Sequence, residues 1–491
     1  MKNGKSKGEV LMRTSIKKRS KVLALCLSAA LSLNTFGLSA LAADVQSANI
    51  YTITNPYENV DWYSTHQFKA DFHAHSTNSD GSNLTREMVE DHYKKDYDIL
   101  AMTDHDYTTE NWDKVARGPI NPERKTEIEA GVARGGKGMI ELEFTNEQSV
   151  VDHINSFFAD FNNRSGATMA STIASVEALG GITHLNHAGR YTGAVTGGNT
   201  EGLTGINASS APSVIQKYVD LFETYPSLVG MEIINKVDNE SRYDRILWDN
   251  ILTEMMPHGR FVWGFSNDDS HSLDATGYSW NVMLMPALNQ AETRKAMETG
   301  AFYAVSRVDR VERINDVLRN GSSAPGNGTS ATLYLLEQPT PSITNIVVDN
   351  ANGSISITGK FFDEIEWIAD GEKIATGSTI NLNDYQGVIN SYVRAQLKSD
   401  TGIAFTQPFG VEISAATLVD ATPSASVKKL NGNKNDLTIT VTETYSDGSI
   451  NEITETFSIN NNAAALYAVG AYAVYIDTKG NDQIRQCYIV D

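Results

Sequence analysis

From residue 66 to about 310, short apolar runs alternate with stretches whose apolar positions recur at helical spacing. The runs fall at 68–72, 97–102, 139–144, 181–185, 228–234, 260–265 and 280–285. Helical spacing is read over 85–95, 149–161, 169–179, 211–225, 243–256 and 291–299. A strand followed by a helix, repeated, predicts an α/β fold with a parallel sheet, closed or open. In parallel-strand barrels functional side chains collect where strands end. Here polar residues end or follow nearly every run: His73 and His75, Asp104 and His105, Glu143, His187, Asn235, then Asp268, Asp269 and His271.

After a Ser/Gly/Asn-rich break at 322–330 the pattern changes to short strands separated by turns. One set covers 354–358, 365–368, 391–397 and 403–410; another covers 437–444, 453–459, 471–477 and 484–490. Regular short strands of this kind predict two all-β, Ig-like sandwich modules, at 340–415 and 416–491. Neither holds a histidine, and no cluster there invites chemistry.

The first 43 residues form a Lys/Arg-rich start, an apolar run over 22–41 and small residues at Ala40 and Ala42. That is the layout of a secretory signal peptide, with cleavage expected near Ala42 or Ala43 and a secreted, extracellular product. The run is broken by Ser28, Ser32, Asn34, Thr35 and Gly37, which argues against a membrane anchor. Residues 1–43 carry eight Lys/Arg and one Glu, so their removal takes the net charge from −20 to −27. So acidic a chain is not expected to bind nucleic acid or anionic membrane through its overall field, and a phosphate-bearing substrate would need a locally positive site. Only Cys487 remains beyond the leader, which excludes an internal disulfide and a multi-cysteine metal site. The pattern does not speak to oligomeric state.

Composition leaves imidazoles and carboxylates as the chemical resource. His73-Ala-His75 at the end of a strand puts two rings on one face, about 6–7 Å apart. Asp80 follows beside Gly81 in a turn, where it could reach a second cation. His105 stands in Thr103-Asp-His, His153 in Asp-His-Ile-Asn, His187 in Asn-His-Ala-Gly-Arg190, and Asp269 and His271 close the set in Asp-Ser-His. Glu143 is the candidate bridging carboxylate; Glu141, on the same strand face, is its rival. Asp268 rivals Asp269, but the Asp-x-His spacing favours the latter. His184 points to the other side of its strand and reads as structural, while His66, His92 and His258 read as surface or loop. Six His and three carboxylates exceed what one tetrahedral ion can use, and without thiolates they suit two or three ions of Zn, Mn or Fe sharing a bridging Glu.

These motifs, in this order, resemble the polymerase-and-histidinol-phosphatase (PHP) family of metal-dependent phosphoesterases, over roughly 66–310 of a domain spanning 44–325. The resemblance implies a distorted seven-stranded β/α (TIM-like) barrel with a two- or three-metal centre. One metal would take His73, His75, Glu143 and Asp269; a second Asp80, His105 and His271; a third Glu143, His153 and His187. Ala188 stands where family members often have Pro, which leaves the ligand before it untouched. The expected activity is hydrolysis of a small phosphomonoester or phosphodiester by water activated on the metals. Asp104 would orient a neighbouring ligand, Arg190 would hold the substrate phosphate, and His271 or His187 would protonate the leaving oxygen. The same centre would also serve an amidohydrolase or lactonase. A third reading makes the chain a non-catalytic extracellular binding or adhesion protein whose β-modules carry the function.

Overall fold

The structure is a computed structural model that describes residues 51–490, apart from 151, 196, 237–239, 308–337, 414–417, 431–433, 446–448, 461 and 480–482. The expected leader and the break at 322–330 lie outside the described residues. Among those described, no helix is long and apolar enough to cross a membrane.

The architecture is mixed α/β. Eleven strands precede the tail: β1 (Tyr51–Thr54), β2 (His66–Asp71), β3 (Ile99–Leu100), β4 (Ile140–Glu141), β5 (Asn146–Gln148), β6 (Ile154–Phe157), β7 (Ile182–Leu185), β8 (Leu228–Asn235), β9 (Trp263–Asn267), β10 (Ser279–Met285) and β11 (Phe302–Ser306). Strands β2, β3 and β4 run parallel, and β10 and β11 extend their sheet antiparallel from β2. A second sheet orders β5 to β9, with β7, β8 and β9 parallel. Hydrogen bonding does not run round one closed seven-stranded ring. The sheets instead touch at two isolated parallel bridges, Ala74 with Ser270 and His105 with Glu147. Both bridges lie beyond strand ends, where the polar residues collect.

Local chemistry explains most of the elements. Every residue of β8 is buried, as expected of a parallel strand covered on both faces, so Glu232 within it needs a reason to be there. Pro212 occupies the first turn of the helix Pro212–Thr224, where its missing N–H loses nothing. Asn289 caps the helix Gln290–Thr299 by accepting from the Glu292 N–H, and Gly300 ends it at a φ of +75°.

Two departures from the sequence pattern matter. Residues 149–161, read as helical, contain β6, which forms a hairpin with β5. All four β6 residues are buried, and a short fully buried run does not distinguish strand from helix by its period. The helix Pro122–Glu129 escaped notice because only Ile128 in it is buried, leaving no apolar stripe.

The larger departure is in the tail. Residues 340–415 were expected as a separate module, but five of their strands continue the first sheet: β14 (Glu364–Ala369), β15 (Glu372–Thr376), β17 (Tyr392–Ser399), β18 (Gly402–Phe405) and β19 (Phe409–Ile413). Strand β18 pairs with β11, and β19 with β1. The strands β12 (Ser342–Asp349), β13 (Ser354–Lys360) and β16 (Thr379–Asn381) form a small sheet of their own. One apolar core joins both parts: Tyr57, Met88, Trp112 and Trp280 share it with Ile343, Trp367, Val393 and Phe409. Polar ties reinforce it. Gln407 pairs its side-chain amide with both backbone groups of Gly264 in β9, at 2.8 and 3.0 Å. Arg394 forks onto Asp249 at 2.8 and 2.7 Å.

Of the last six strands, four lie where the pattern placed them and two were not read from the sequence. β20 (Leu418–Lys429), β21 (Lys434–Tyr445) and β22 (Ile450–Asn460) form one antiparallel sheet. β23 (Ala463–Val469), β24 (Tyr472–Lys479) and β25 (Gln483–Ile489) form another. A separate small core, with Leu437, Ile439, Val441, Val474 and Ile476, lies between them.

Candidate metal centre

The hairpin of β5 and β6 sets the centre. After β4 the chain turns at Phe144, a non-glycine residue at φ +52°, and resumes as β5 with Glu147 in its middle. Strand alternation therefore stops predicting direction at Leu142. Glu143, expected as the bridge, is half-buried and outside the cluster; its N–H meets Gln290 Oε1 at 3.5 Å. Glu141 is also excluded, since it is ion-paired with Lys125 and accepts the Trp112 N–H at 2.6 Å. The carboxylate at the centre is Glu147, fully buried.

Five rings surround it. Glu147 Oε2 lies 3.2 Å from His73 Nε2, 3.3 Å from His75 Nε2 and 2.9 Å from His105 Nδ1. Its Oε1 lies 2.9 Å from His153 Nδ1 and 3.3 Å from His187 Nε2, and accepts from Asn186 Nδ2 at 2.8 Å. Asp269 Oδ1 stands 3.5 Å from His73 Nε2, 3.1 Å from His75 Nε2 and 3.4 Å from His271 Nδ1. Towards solvent, Asp80 Oδ2 is 3.2 Å from His271 Nε2 and 3.6 Å from His105 Nε2. The structure thus brings together His73, His75, Asp80, His105, His153, His187, Asp269 and His271 of the expected set, with Glu147 in place of Glu143.

Four atoms test whether this donor set fits a cation. His73 Nε2, His75 Nε2, Glu147 Oε2 and Asp269 Oδ1 are buried and make no hydrogen bond, yet each ring nitrogen lies 3.1–3.5 Å from both carboxylate oxygens. His73 Nδ1 meets Glu232 Oε1 at 2.8 Å. With that N–H donated, a neutral ring presents Nε2 as a lone pair to two carboxylate oxygens. Lone pairs converge so only around a positive charge. Tetrahedral ligands held at about 2.1 Å from one ion lie roughly 3.4 Å apart, which matches these four nitrogen–oxygen distances. His75, Asp80, His105 and His271 form a second group, and Glu147 with His153 or His187 offers a third.

Surrounding groups hold the donors in place. Glu232 accepts from His73, from the His187 backbone N–H at 2.9 Å, and from Asn235 and Asn267 at 2.9 and 2.8 Å. Asp104 ties the loop between His75 and Asp80 by accepting from both N–H and hydroxyl of Ser76 and Ser79, at 2.7–3.1 Å. Gly81 lets that loop close, since a Cβ there would stand 2.7 Å from the His75 carbonyl. His187 and Asp269 both sit at positive φ, +31° and +43°. Such conformations cost of order 1–3 kcal/mol each and cluster at functional sites.

Other expectations are settled by position. Asp268 accepts from the Tyr97 hydroxyl and the N–H groups of Gly277, Tyr278 and Ser279, at 2.5–2.8 Å, so it serves the fold beside Asp269. His184 is buried and stacked on Phe265, and burial pulls its pKa down to about 4. His92, expected at the surface, is buried between the Met88 carbonyl at 2.8 Å and Asp71 at 3.1 Å. Arg190, expected to hold phosphate, gives its guanidinium to Glu240 at 2.8 Å and Asn235 at 3.1 Å. Glu147, Glu232 and Lys236 were missed. For Glu232 a signal existed: it is the lone charge in an apolar strand.

Electrostatics in the metal-free chain follow from this packing. Burial alone would raise the Glu147 carboxyl above 4.5, but the charge of His73 and the adjacent rings of His105, His153 and His187 hold it well below. Burial would likewise raise Asp269, and His73, His75 and Lys236 hold it well below 3.8. Burial opposes a charge on His73, but Asp269, Glu147 and Glu232 drive its pKa well above 6.5. Depressed carboxylates stabilise above their unfolded values and lose that contribution as pH falls through the folded ones. The raised His73 contributes below 6.5 and loses its share only as pH climbs through its higher folded value. Melting of the chelated protein, followed by circular dichroism, should therefore fall steeply between about pH 5 and pH 3. A flat melting temperature over that window would mean these carboxylates are not held as buried charge pairs.

No family model matches the chain, and no curated protein does. Solved structures similar to it are PHP-like metal-dependent phosphoesterases and an amidohydrolase, all at low identity. A two-domain protein from Bacteroides vulgatus ATCC 8482, described as containing a predicted PHP-like metal-dependent phosphoesterase, is 15% identical with a TM-score of 0.35, over 84% of this chain and 99% of that one. A protein of Bifidobacterium adolescentis ATCC 15703, described as a metal-dependent phosphoesterase by inference, is 17% identical with a TM-score of 0.28, over 47% and 96%. An amidohydrolase from Chromobacterium violaceum, with sulfate bound and no metal, is 13% identical with a TM-score of 0.27, over 41% and 87%. At these scores the likenesses carry no weight for function, which rests on the side chains above.

Proposed function

We propose that this chain is a secreted, metal-dependent phosphoesterase of PHP type, its two sheets forming a distorted barrel around two or three divalent cations. The supporting observation is the convergence of four buried, unbonded donor atoms on one side of Glu147, with further imidazoles on the other. Bound cations would supply the charge that acidifies water and neutralises oxygens on the group being transferred. His73, His75, Glu147 and Asp269 would hold one cation; Asp80, His105 and His271 a second; Glu147, His153 and His187 a third. Glu232 fixes the His73 ring by taking its Nδ1 proton, and Asp104 fixes the loop that carries Asp80.

Metal analysis of protein purified without chelators, then a panel of phosphomonoesters, phosphodiesters, amides and lactones, tests this. We expect at least two equivalents of metal per chain and turnover of a phosphoester that a chelator abolishes. Turnover confined to amides or lactones would overturn the phosphoester reading while leaving the centre intact. Protein without metal, or metal without any turnover, would favour a binding role.

A further inference from the structure

Lys236 stands against the centre, ion-paired with Asp269. It follows β8 at a φ of +56°, a backbone conformation that a lysine rarely adopts. Two bonds hold it so: its N–H donates to the Asn267 carbonyl at 3.0 Å, and its own carbonyl accepts from Ser279 Oγ at 2.8 Å. The result is an ammonium 3.1 Å from Asp269 Oδ2, on a side chain one-third exposed. The other oxygen, Oδ1, is the one that faces His73 and His75. Lys236 therefore sits one carboxylate width from the candidate cation position, with its outer side open to solvent. Arg190, the other cation at this rim, is already taken up by Glu240 and Asn235. An acidic chain repels anions at long range, so an approaching phosphate needs a cation of this kind at the mouth.

We infer that Lys236, rather than Arg190, binds the phosphoryl group of the substrate. This rests on the metal-centre reading above. Lys236 is placed to leave Asp269 Oδ2 for an incoming oxygen without disturbing Oδ1.

The test uses the full-length, metal-loaded protein and compares the parent with Lys236→Met and Lys236→Arg. Inorganic phosphate binding is measured by calorimetry, metal content by mass spectrometry, and KM and kcat on a phosphomonoester and a diester. A lost charge-assisted bond predicts phosphate affinity roughly 10- to 100-fold weaker in the Met variant. The Arg variant should stay within about threefold of the parent, and metal content should not change. The KM of whichever phosphoester is turned over should rise with the phosphate Kd. Unchanged phosphate affinity in the Met variant would overturn the inference. So would loss of metal from both variants, since Lys236 would then only brace Asp269. A parent that binds phosphate through Lys236 but cleaves no phosphoester would sink the proposed reaction and leave this site standing.

Discussion

Glu147→Gln is expected to empty the centre while Glu143→Gln leaves it full. The two glutamates are four residues apart and carry the same charge, so the pair separates a ligand from a bystander without relying on composition. Glu147 touches five imidazoles, one oxygen to each side, and is the residue common to the first and third cation groups. The amide keeps its size but puts a donor, or a weaker acceptor, where a lone pair is needed. Removing residues that merely orient a ligand already lowers metal affinity by about 10- to 100-fold. Loss of a shared ligand should exceed that, with turnover falling at least as far. Plasma mass spectrometry on both variants, alongside the metal-induced rise in melting temperature, reads the difference. The Glu147→Gln chain should fold, because the Asn186 bond to Oε1 needs only a carbonyl. Full metal content in that variant would mean the cations sit elsewhere.

That contrast also marks what could be read from the chain. His73, His75, His105, His187, Asp269 and His271 each follow an apolar run, and alternating strands and helices bring such positions to one rim whatever the loops between them do. Asp80 and His153 came with them through local spacing. The bridging carboxylate did not, because extrapolating the alternation of β4 past Leu142 assumes extended backbone, and Phe144 turns left-handed. The second strand of the hairpin that lifts Glu147 into place was read as part of a helix, its residues buried too completely to show a period. Lys236 was invisible for a related reason: its position depends on a positive φ held by bonds to residues 31 and 43 positions away. Many tail strands were legible one by one, but β12, β15, β16, β20 and β23 were not, and neither were the pairing partners. Nothing local in 402–405 says that its hydrogen bonds go to 304–306 as well as to its neighbour 396–399.

Ending the chain at Arg307 is expected to yield no soluble metal protein, whereas ending it at Ile413 should preserve metal binding and turnover. Compositional reading would expect the reverse tolerance at the first cut, since 340–415 looked like an appended module. In the structure, sixteen members of the principal core come from residues 343–411. Each fully buried Ile, Leu or Val contributes about 1.5–3 kcal/mol, against a total stability of about 5–15 kcal/mol for an ordinary domain. The first cut also unpairs the edge of β11, strands Asp249 without Arg394 and removes Gln407 from the backbone of β9. Strand β9 leads directly into Asp269 and His271, so damage to its edge reaches the centre even if some fold survives. The second cut removes only β20 to β25, whose small core is their own. Solubility, heat-induced melting and metal stoichiometry of the two shortened chains decide the matter. A folded, metal-loaded chain ending at Arg307 would show that the shared sheet is dispensable and that the tail is an appendage after all.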